Sequence, residues 1–389
     1  MAEYVRLGDV CTVISGSTPK SNIPEYWDGD VIWITPAELN ESSYIIRDSI
    51  RHITTKAVSD TSLRSFPAGT VILSSRAPIG KTAIAGCEMY CNQGFKNLIC
   101  SSRINNKYLY CFLSCKTDYL NSLGRGATFK EISKNIVEDI IIPLPEISEQ
   151  KKIAAKFEHI RNVKQNYERQ RELLDELIKS RFIECFGDMY LNSKGWTEAK
   201  LESMADIVSG ITKGRKTKDE DLTEVPYMAV SNVKDGYIDW TTVKTIEATQ
   251  QEIEQYRLLP DDVLMTEGGD PDKVGRGAII KEPLENCIHQ NHIFRVRLDE
   301  SVMLPEFFAE YLQHQRSKRY FLGCAKQTTG IASINMTQLR SLPVLMPPLA
   351  EQEEFISFKA QVDKSKFVVQ KSLQELETLK KSLMQEYFG

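Results

Sequence analysis

The sequence predicts an α+β chain built twice: two globular units separated by two long antiparallel α-helices, with a pseudo-two-fold internal repeat. Two observations carry this. Residues 132–187 and 334–389 align at a constant offset of 202 without a gap, pairing Ile132 with Ile334, Gln150 with Gln352, Lys164 with Lys366 and Phe186-Gly187 with Phe388-Gly389. Each copy also places short β-branched runs, bounded by Gly or Pro, ahead of one long polar segment. The expected boundaries are units at 1–147 and 188–347 and helices at 148–187 and 348–389.

In the first unit the strand-like runs are Val31–Ile34, Thr70–Leu73, Lys81–Ala85 and Asp139–Pro143, with a helix expected over Asn106–Leu123. The second unit repeats that order with Val225–Val230, Val263–Met265, Gly277–Ile280 and Leu342–Met346, and a helix over Pro305–Arg319. Fainter echoes continue upstream: Leu7…Ser15-Gly16 answers Leu201…Ser209-Gly210, and Ile79-Gly80-Lys81 answers Val274-Gly275-Arg276. The segment from Ser148 to Phe186 contains neither Pro nor Gly, so it reads as one helix, capped by Ser148, with Glu149 favouring its positive end. Apolar residues recur along it at Ile153, Phe157, Ile160, Tyr167, Leu174 and Ile178, and along its counterpart at Phe355, Val362, Val369, Leu376 and Leu383. Lys164 and Lys366 interrupt both stripes at matching places. Glu149-Gln150 and Glu351-Gln352 read as ordinary helix-start residues.

Chain direction makes the helices antiparallel, because the second begins where the first has delivered the chain. About 37 residues at ~1.5 Å each give a rod of roughly 55 Å. Allowing for slant, that would hold the units one to one-and-a-half duplex turns apart, at ~34–36 Å per turn.

Bulk properties exclude several classes. At 389 residues, with 41% hydrophobic and 26% charged residues, the chain has room for two ordinary cores and lacks an apolar run of membrane-spanning length. MAEYVRLGDV carries neither a basic nor an apolar leader region, so a reducing cytoplasmic setting with free thiols is expected for the nine irregularly spaced cysteines. His289-x-x-His292 lacks neighbouring ligands at metal spacing, so no metal site is expected. A net charge of −4 argues against indiscriminate coating of nucleic acid but leaves room for local basic patches.

Three enzyme readings lack parts. Arg76-Ala-Pro-Ile-Gly80-Lys81-Thr82 has Ser75 where a phosphate loop needs its first glycine, so it reads as a turn between strands. A methyltransferase would need Asn or Asp before paired prolines; Met346-Pro-Pro-Leu349 has neither. Asp270-Pro-Asp272-Lys273 lacks the separated carboxylates of a nuclease. No catalytic residue is expected.

What remains is a set of basic and amide-rich loops at equivalent places in both units of an acidic chain. In the first unit these supply Lys20, Ser75, Arg76, Asn92, Gln93, Lys96, Arg125, Thr128 and Lys130. In the second they supply Lys213, Arg215, Lys216, Lys273, Arg276, Gln290, Asn291, His292, Lys326, Gln327 and Thr328. Arg and Lys suit phosphates and guanine edges, Asn and Gln suit adenine, and Ser or Thr serve either. Glu267, Asp270 and Asp272 weaken the case for their own loop, although a carboxylate can accept from cytosine N4.

The whole chain resembles the DNA-specificity subunit of type I restriction–modification systems. The resemblance rests on the paired units, the repeated Pro145-x-x-x-Glu-Gln150 and Pro347-Pro-Leu-x-Glu-Gln352 junctions, and the helices ending in Phe-Gly. The Leu7-Gly-Asp-Val10…Ser15-Gly16 opening and Asn92-Gln-Gly94 also match; the second unit departs, with Leu201-Glu202-Ser203 and Gln290-Asn291-His292 in those places. The resemblance implies a non-catalytic subunit that binds double-stranded DNA, reads an asymmetric split target and docks two modification subunits on its helices. It also implies recruitment, through the complex, of an ATP-driven restriction subunit. S-adenosylmethionine, ATP and Mg would then belong to the partners, with no cofactor on this chain. The competing expectations are a stand-alone nuclease or methyltransferase with a diverged site, and an orphan specificity chain that blocks or redirects other subunits.

Overall fold

The computed structural model describes residues 3–40, 42–76, 78–126, 130–215, 221–270, 273–328 and 330–389, without the side chains of Gln327, Thr328 and Ile331. The chain forms two compact units, Met1–Arg169 with Val369–Gly389, and Gln170–Val368. Each takes in a sheet-rich portion and part of both long helices.

In the first unit a five-stranded sheet runs in the order Cys11–Ser15, Lys96–Cys100, Val71–Leu73, Thr82–Ala85, Ile45–Ile46. Beside it, Trp27–Ile34 lies between His52–Ile53 and Tyr90–Cys91, and Glu3–Arg6 pairs antiparallel with Ile141–Leu144. These strands form because short apolar runs can bury one or both faces; Val71, Ile72 and Leu73 are all fully buried. The second unit repeats the plan. Ala205–Ser209, Ile293–Leu298, Val263–Thr266 and Gly277–Ile279 form a four-stranded sheet, and Thr223–Met228 lies between Lys244–Ala248 and Ile288–His289. Thr197–Lys200 pairs with Pro343–Met346.

Both expected short helices break in two. Asn106–Cys115 is capped by the Asn105 side chain and ends at Lys116, after which Thr117–Leu123 begins. Pro305–Gln313 ends at His314, whose extended backbone starts a new helix, Gln315–Cys324, and whose ring caps it. In each case one residue leaves helical geometry and lets the second piece turn, a feature that apolar spacing does not encode.

The long helices are Ile147–Phe186 and Leu349–Phe388. The first starts one residue before Ser148, which therefore lies inside the opening turn and is not the cap. In the first unit Lys156 Nζ meets the Tyr387 hydroxyl at 2.6 Å and Lys164 Nζ meets Glu377 at 2.5 Å. In the second, Asp175 meets Lys366 at 2.6 Å and Arg181 pairs with Glu354. Partner numbers fall on one helix as they rise on the other, so the helices are antiparallel. The two lysines that interrupt the apolar stripes thus make equivalent cross-helix ion pairs, Lys164–Glu377 and Lys366–Asp175, each displaced by 202 residues from the other. The Lys164 hydrogen bond, ahead of a smaller cost of burial, holds the Glu377 carboxyl below its ordinary range.

The helix ends are part of the cores. Phe388 packs against Tyr108, Phe112 and Phe157 in the first unit, and its counterpart Phe186 against Phe182, Phe307 and Phe355 in the second. Burying each phenyl ring stabilises its unit by about 2–3 kcal/mol on area alone.

Gln150 and Gln352 fill the same place in each unit. Gln150 is fully buried, accepts from the Asn105 amide at 2.8 Å and donates to the carbonyls of Arg103 at 3.0 Å and Pro145 at 2.8 Å. Gln352, equally buried, accepts from Leu304 at 2.9 Å and donates to Val302 at 3.2 Å and Pro347 at 2.8 Å. The ordinary helix-start reading of these glutamines is corrected: an amide is the side chain able to satisfy one buried N–H and two buried carbonyls together.

Candidate nucleic-acid interface

The loops nominated in the first unit converge where the strand Val71–Leu73 ends. The Ser74 amide donates to Lys81 O at 2.8 Å, Ser75 to Gly94 O at 2.7 Å, and Ile132 to Ser75 O at 2.9 Å. Arg76 and Arg125 each bridge the backbone of Glu131. Ser74 and Lys81 thus close the turn expected between antiparallel strands, with the Ser74 hydroxyl accepting from the Lys81 amide and donating to Pro78 O.

The second unit builds the same frame. The Thr266 amide donates to Arg276 O at 3.1 Å, Glu267 to His292 O at 3.0 Å, and Ile334 to Glu267 O at 2.8 Å. Gly268 then pairs with Ser333, which also pairs with Lys326. By bonding pattern Ser75 corresponds to Glu267, Arg76 to Gly268, Gly94 to His292, Glu131 to Ser333 and Arg125 to Lys326. The Asn92 and Gln290 amides are equivalent too, donating to Ile34 O and Met228 O. Gly16 and Gly210 make this approach possible. A Cβ on Gly16 would lie 2.0 Å from Asn92 O, and one on Gly210 would lie 1.9 Å from His289 O.

The same backbone carries different side chains. In the first unit Glu131 accepts from Arg76 Nε at 2.9 Å and from Lys96 Nζ at 3.2 Å, and Lys96 also reaches Ser75 Oγ at 3.3 Å. Burial pushes the Glu131 carboxyl up, but the hydrogen bonds and charges of Arg76 and Lys96 outweigh it and hold the group below its usual range. In the second unit His292 Nδ1 meets Glu267 Oε2 at 2.5 Å, and Glu267 Oε1 has no partner among the described residues.

Two side chains nominated in the first unit are corrected. Ser75 is fully buried, and Lys96 is only 6% exposed with its ammonium turned inward onto Glu131 and Ser75, so neither presents itself to a ligand. Their chemistry is internal: a buried ammonium needs a counterion, and Glu131 is it. Arg76, Gln93, Arg125 and Lys130 are exposed in the first unit, and Asn92 is partly so. Gln93 accepts from the Thr18 hydroxyl, and Asn92 Oδ1 accepts from the Gly94 amide at 2.9 Å, which fixes that turn. Lys20 is exposed, with no tie among the described residues to the Glu131 cluster.

In the second unit Lys213, Lys273, His292 and Lys326 are exposed, while Arg276, Gln290 and Asn291 are partly buried. Lys273 pairs with Asp270. Arg215 is held by both carboxylate oxygens of Glu252 and by Glu247 O, so it is committed to its own sheet edge. The Glu252 carboxyl is held down chiefly by that Arg215 hydrogen bond. Thr128, Lys216 and Asp272 lie outside the described residues, and the side chains of Gln327 and Thr328 likewise. Sequence reasoning missed Glu131 altogether and read Glu267 as a weakness. Glu131 stands one residue before the gap-free alignment begins, so extending the offset by one would have set it opposite Ser333.

His289 is buried beneath this frame, with Nδ1 3.1 Å from Tyr256 O and Nε2 3.3 Å from Val208 O. Burial lowers its pKa to about 4. Among the described residues no three His, Cys, Asp or Glu side chains are grouped to hold a metal ion, and no helix is long and apolar enough to cross a membrane.

Comparison with known proteins gives a consistent family. The MjaIX specificity subunit of a type I restriction enzyme from Methanocaldococcus jannaschii is 35% identical over 249 residues, 59% of this chain and 58% of that protein. The MjaVIII specificity subunit of the same organism is 24% identical over 410 residues, 98% of this chain and 91% of that protein. The EcoKI specificity subunit of Escherichia coli K12 is 24% identical over 250 residues, 61% of this chain and 53% of that protein. The match to MjaIX and EcoKI therefore spans little more than half of their length. Among solved structures, the S subunit of a type I restriction-modification system from M. genitalium superposes with a TM-score of 0.58 at 13% identity, over 100% of this chain and 96% of that one. A chain from a study of complex assembly and conformational transition of the type I R-M system gives 0.64 at 18% identity, over 99% and 97%. These likenesses show the fold. The family profile described as type I restriction modification DNA specificity domain matches residues 2–174 and again 193–378, so the chain belongs to that family, with one copy of the domain in each half.

Proposed function

We propose that this chain is the non-catalytic specificity subunit of a type I restriction–modification complex. Each unit would bind double-stranded DNA and read one half of an asymmetric split target. The observation that carries this reading is the repeated backbone frame: equivalent strand ends and turns present Arg76 with Glu131 in one unit and Glu267 with His292 in the other. Equivalent frames with different polar side chains are what two different half-sites require, because the backbone frame fixes position while the side chains select bases.

The long helices fit the role of a dock for two modification subunits. Leu177 and Leu379, equivalent positions 202 residues apart, are both about half exposed on the two long helices. Such equivalent apolar positions offer the same contact twice. The restriction subunit would join through the complex, and S-adenosylmethionine, ATP and Mg would be bound by the partners in the cytoplasm. The expected domain boundaries, 1–147 and 188–347 for the reading units and 148–187 and 348–389 for the helices, give the segments to exchange.

The test is a modified-base map of a host genome with and without this gene. A split, asymmetric methylated motif that disappears on deletion supports the function; an unchanged map refutes it. Exchanging residues 1–145 for the corresponding unit of another family member should change one half of the motif only. A change in both halves would show that the units do not read independently. Methyl transfer or metal-dependent cleavage by the purified chain alone would instead favour a stand-alone enzyme.

A further inference from the structure

We propose that the two units read a G·C pair in opposite orientation at the equivalent place in the frame: Arg76 reads guanine in the first half-site, and Glu267 reads cytosine in the second. This rests on the DNA-reading function proposed above and names the residues that give the two halves different specificity.

In the first unit the bridge position carries Arg76 opposite Glu131. Glu131 takes only the Nε–H of Arg76, and Lys96 occupies its other oxygen. The remaining guanidinium N–H groups have no partner among the described residues, and the side chain is exposed. An arginine gripped from the side at Nε keeps its terminal fork free, and that fork matches the paired acceptors O6 and N7 of guanine. Glu131 is therefore a positioning residue, and the buried Lys96 keeps Glu131 charged and fixed.

In the second unit the bridge position is Gly268 opposite Ser333, so neither arginine nor its buttress is present there. The carboxylate has moved to the neighbouring position, Glu267, where the first unit has the buried Ser75. His292 holds Oε2, leaving Oε1 available. A carboxylate accepts from an exocyclic amine. Adenine sets its N7 acceptor beside that amine and repels a carboxylate, whereas cytosine presents its N4 amine without a neighbouring acceptor, so cytosine is the match.

The experiment selects sequences from a pool of randomised double-stranded DNA, using the full chain in complex with modification subunits. The wild-type pool should show guanine at one position of the first half-site and cytosine at one position of the second. Arg76→Gln should move the first from guanine to adenine, and Glu267→Gln the second from cytosine to adenine, each leaving the other half unchanged. Glu131→Gln should relax the guanine preference roughly ten- to a hundredfold without replacing it. A change of preferred base cannot come from a misfolded unit, so the glutamine variants separate reading from stability. A wild-type motif that neither glutamine variant alters, or that changes in both halves at once, overturns this assignment alone. A wild-type pool without any motif overturns the DNA-reading function and this assignment together.

Discussion

Replacing Gln150 by Glu should destabilise the first unit in a strongly pH-dependent way. The new side chain keeps Oε1, so the Asn105 amide retains its acceptor. The amide nitrogen becomes an oxygen facing the Arg103 and Pro145 carbonyls at 3.0 and 2.8 Å in a site closed to solvent. An ionised carboxylate there is repelled by both, so the folded state favours the protonated form and the folded pKa rises above the unfolded value of about 4.3. A carboxylic acid donates one hydrogen where the amide donated two, leaving a residual loss of about 1 kcal/mol at any pH. Protonating the group costs up to about 1.4 kcal/mol for each pH unit above 4.3. The total is therefore roughly 2 kcal/mol at pH 5 and up to about 5 kcal/mol at pH 7. The sign is that of a raised pKa: the stability of the variant is greatest below the unfolded pKa and is lost as pH rises towards the folded one. Urea unfolding of wild type and variant at pH 5, 6 and 7 measures the difference, and hydrogen exchange at Asn105 reports whether its bond survives. A loss of equal size at pH 5 and pH 7, or under 1 kcal/mol at pH 7, would show that Gln150 is not the brace described.

Four further outcomes are expected. Phe388→Ala should cost the first unit about 3–5 kcal/mol, and Phe186→Ala the second unit a similar amount, each seen as faster hydrogen exchange confined to the affected core. Because burial lowers His289 to about 4, the unfolded second unit takes up a proton before the folded one does. Its stability should fall by up to roughly 3 kcal/mol as pH drops from about 6.5 to 4, and His289→Gln should flatten that dependence in acid unfolding curves. Gly16→Ala should dislodge the Asn92–Gly94 turn, since its Cβ strikes main-chain oxygens, and abolish selectivity in the first half-site alone. Gly323→Ala, with open space in a helix, should leave folding unchanged or raise stability by about 0.5–1 kcal/mol in thermal melts.

The repeat was legible because periodic burial and helix ends leave marks along the chain itself: matched Phe186 and Phe388, matched Lys164 and Lys366, and Pro- and Gly-free stretches between. Those marks settled two α+β units and two antiparallel helices before any packing was known. The ion-pair partners of the two lysines were not legible, because Glu377 and Asp175 become their neighbours only once the helices lie side by side. Gln150 looked like any helix-start residue, and its role comes from loops 45 residues away in sequence that meet it in the core. The nominated loops illustrate the same division. Composition marked Ser75, Arg76 and Lys96 as one polar group, but the strand crossing decided that Ser75 and Lys96 are buried and Arg76 is presented. Residue type and spacing follow the chain, whereas burial and pairing depend on which distant segments the fold brings together, and only the tertiary structure decided that.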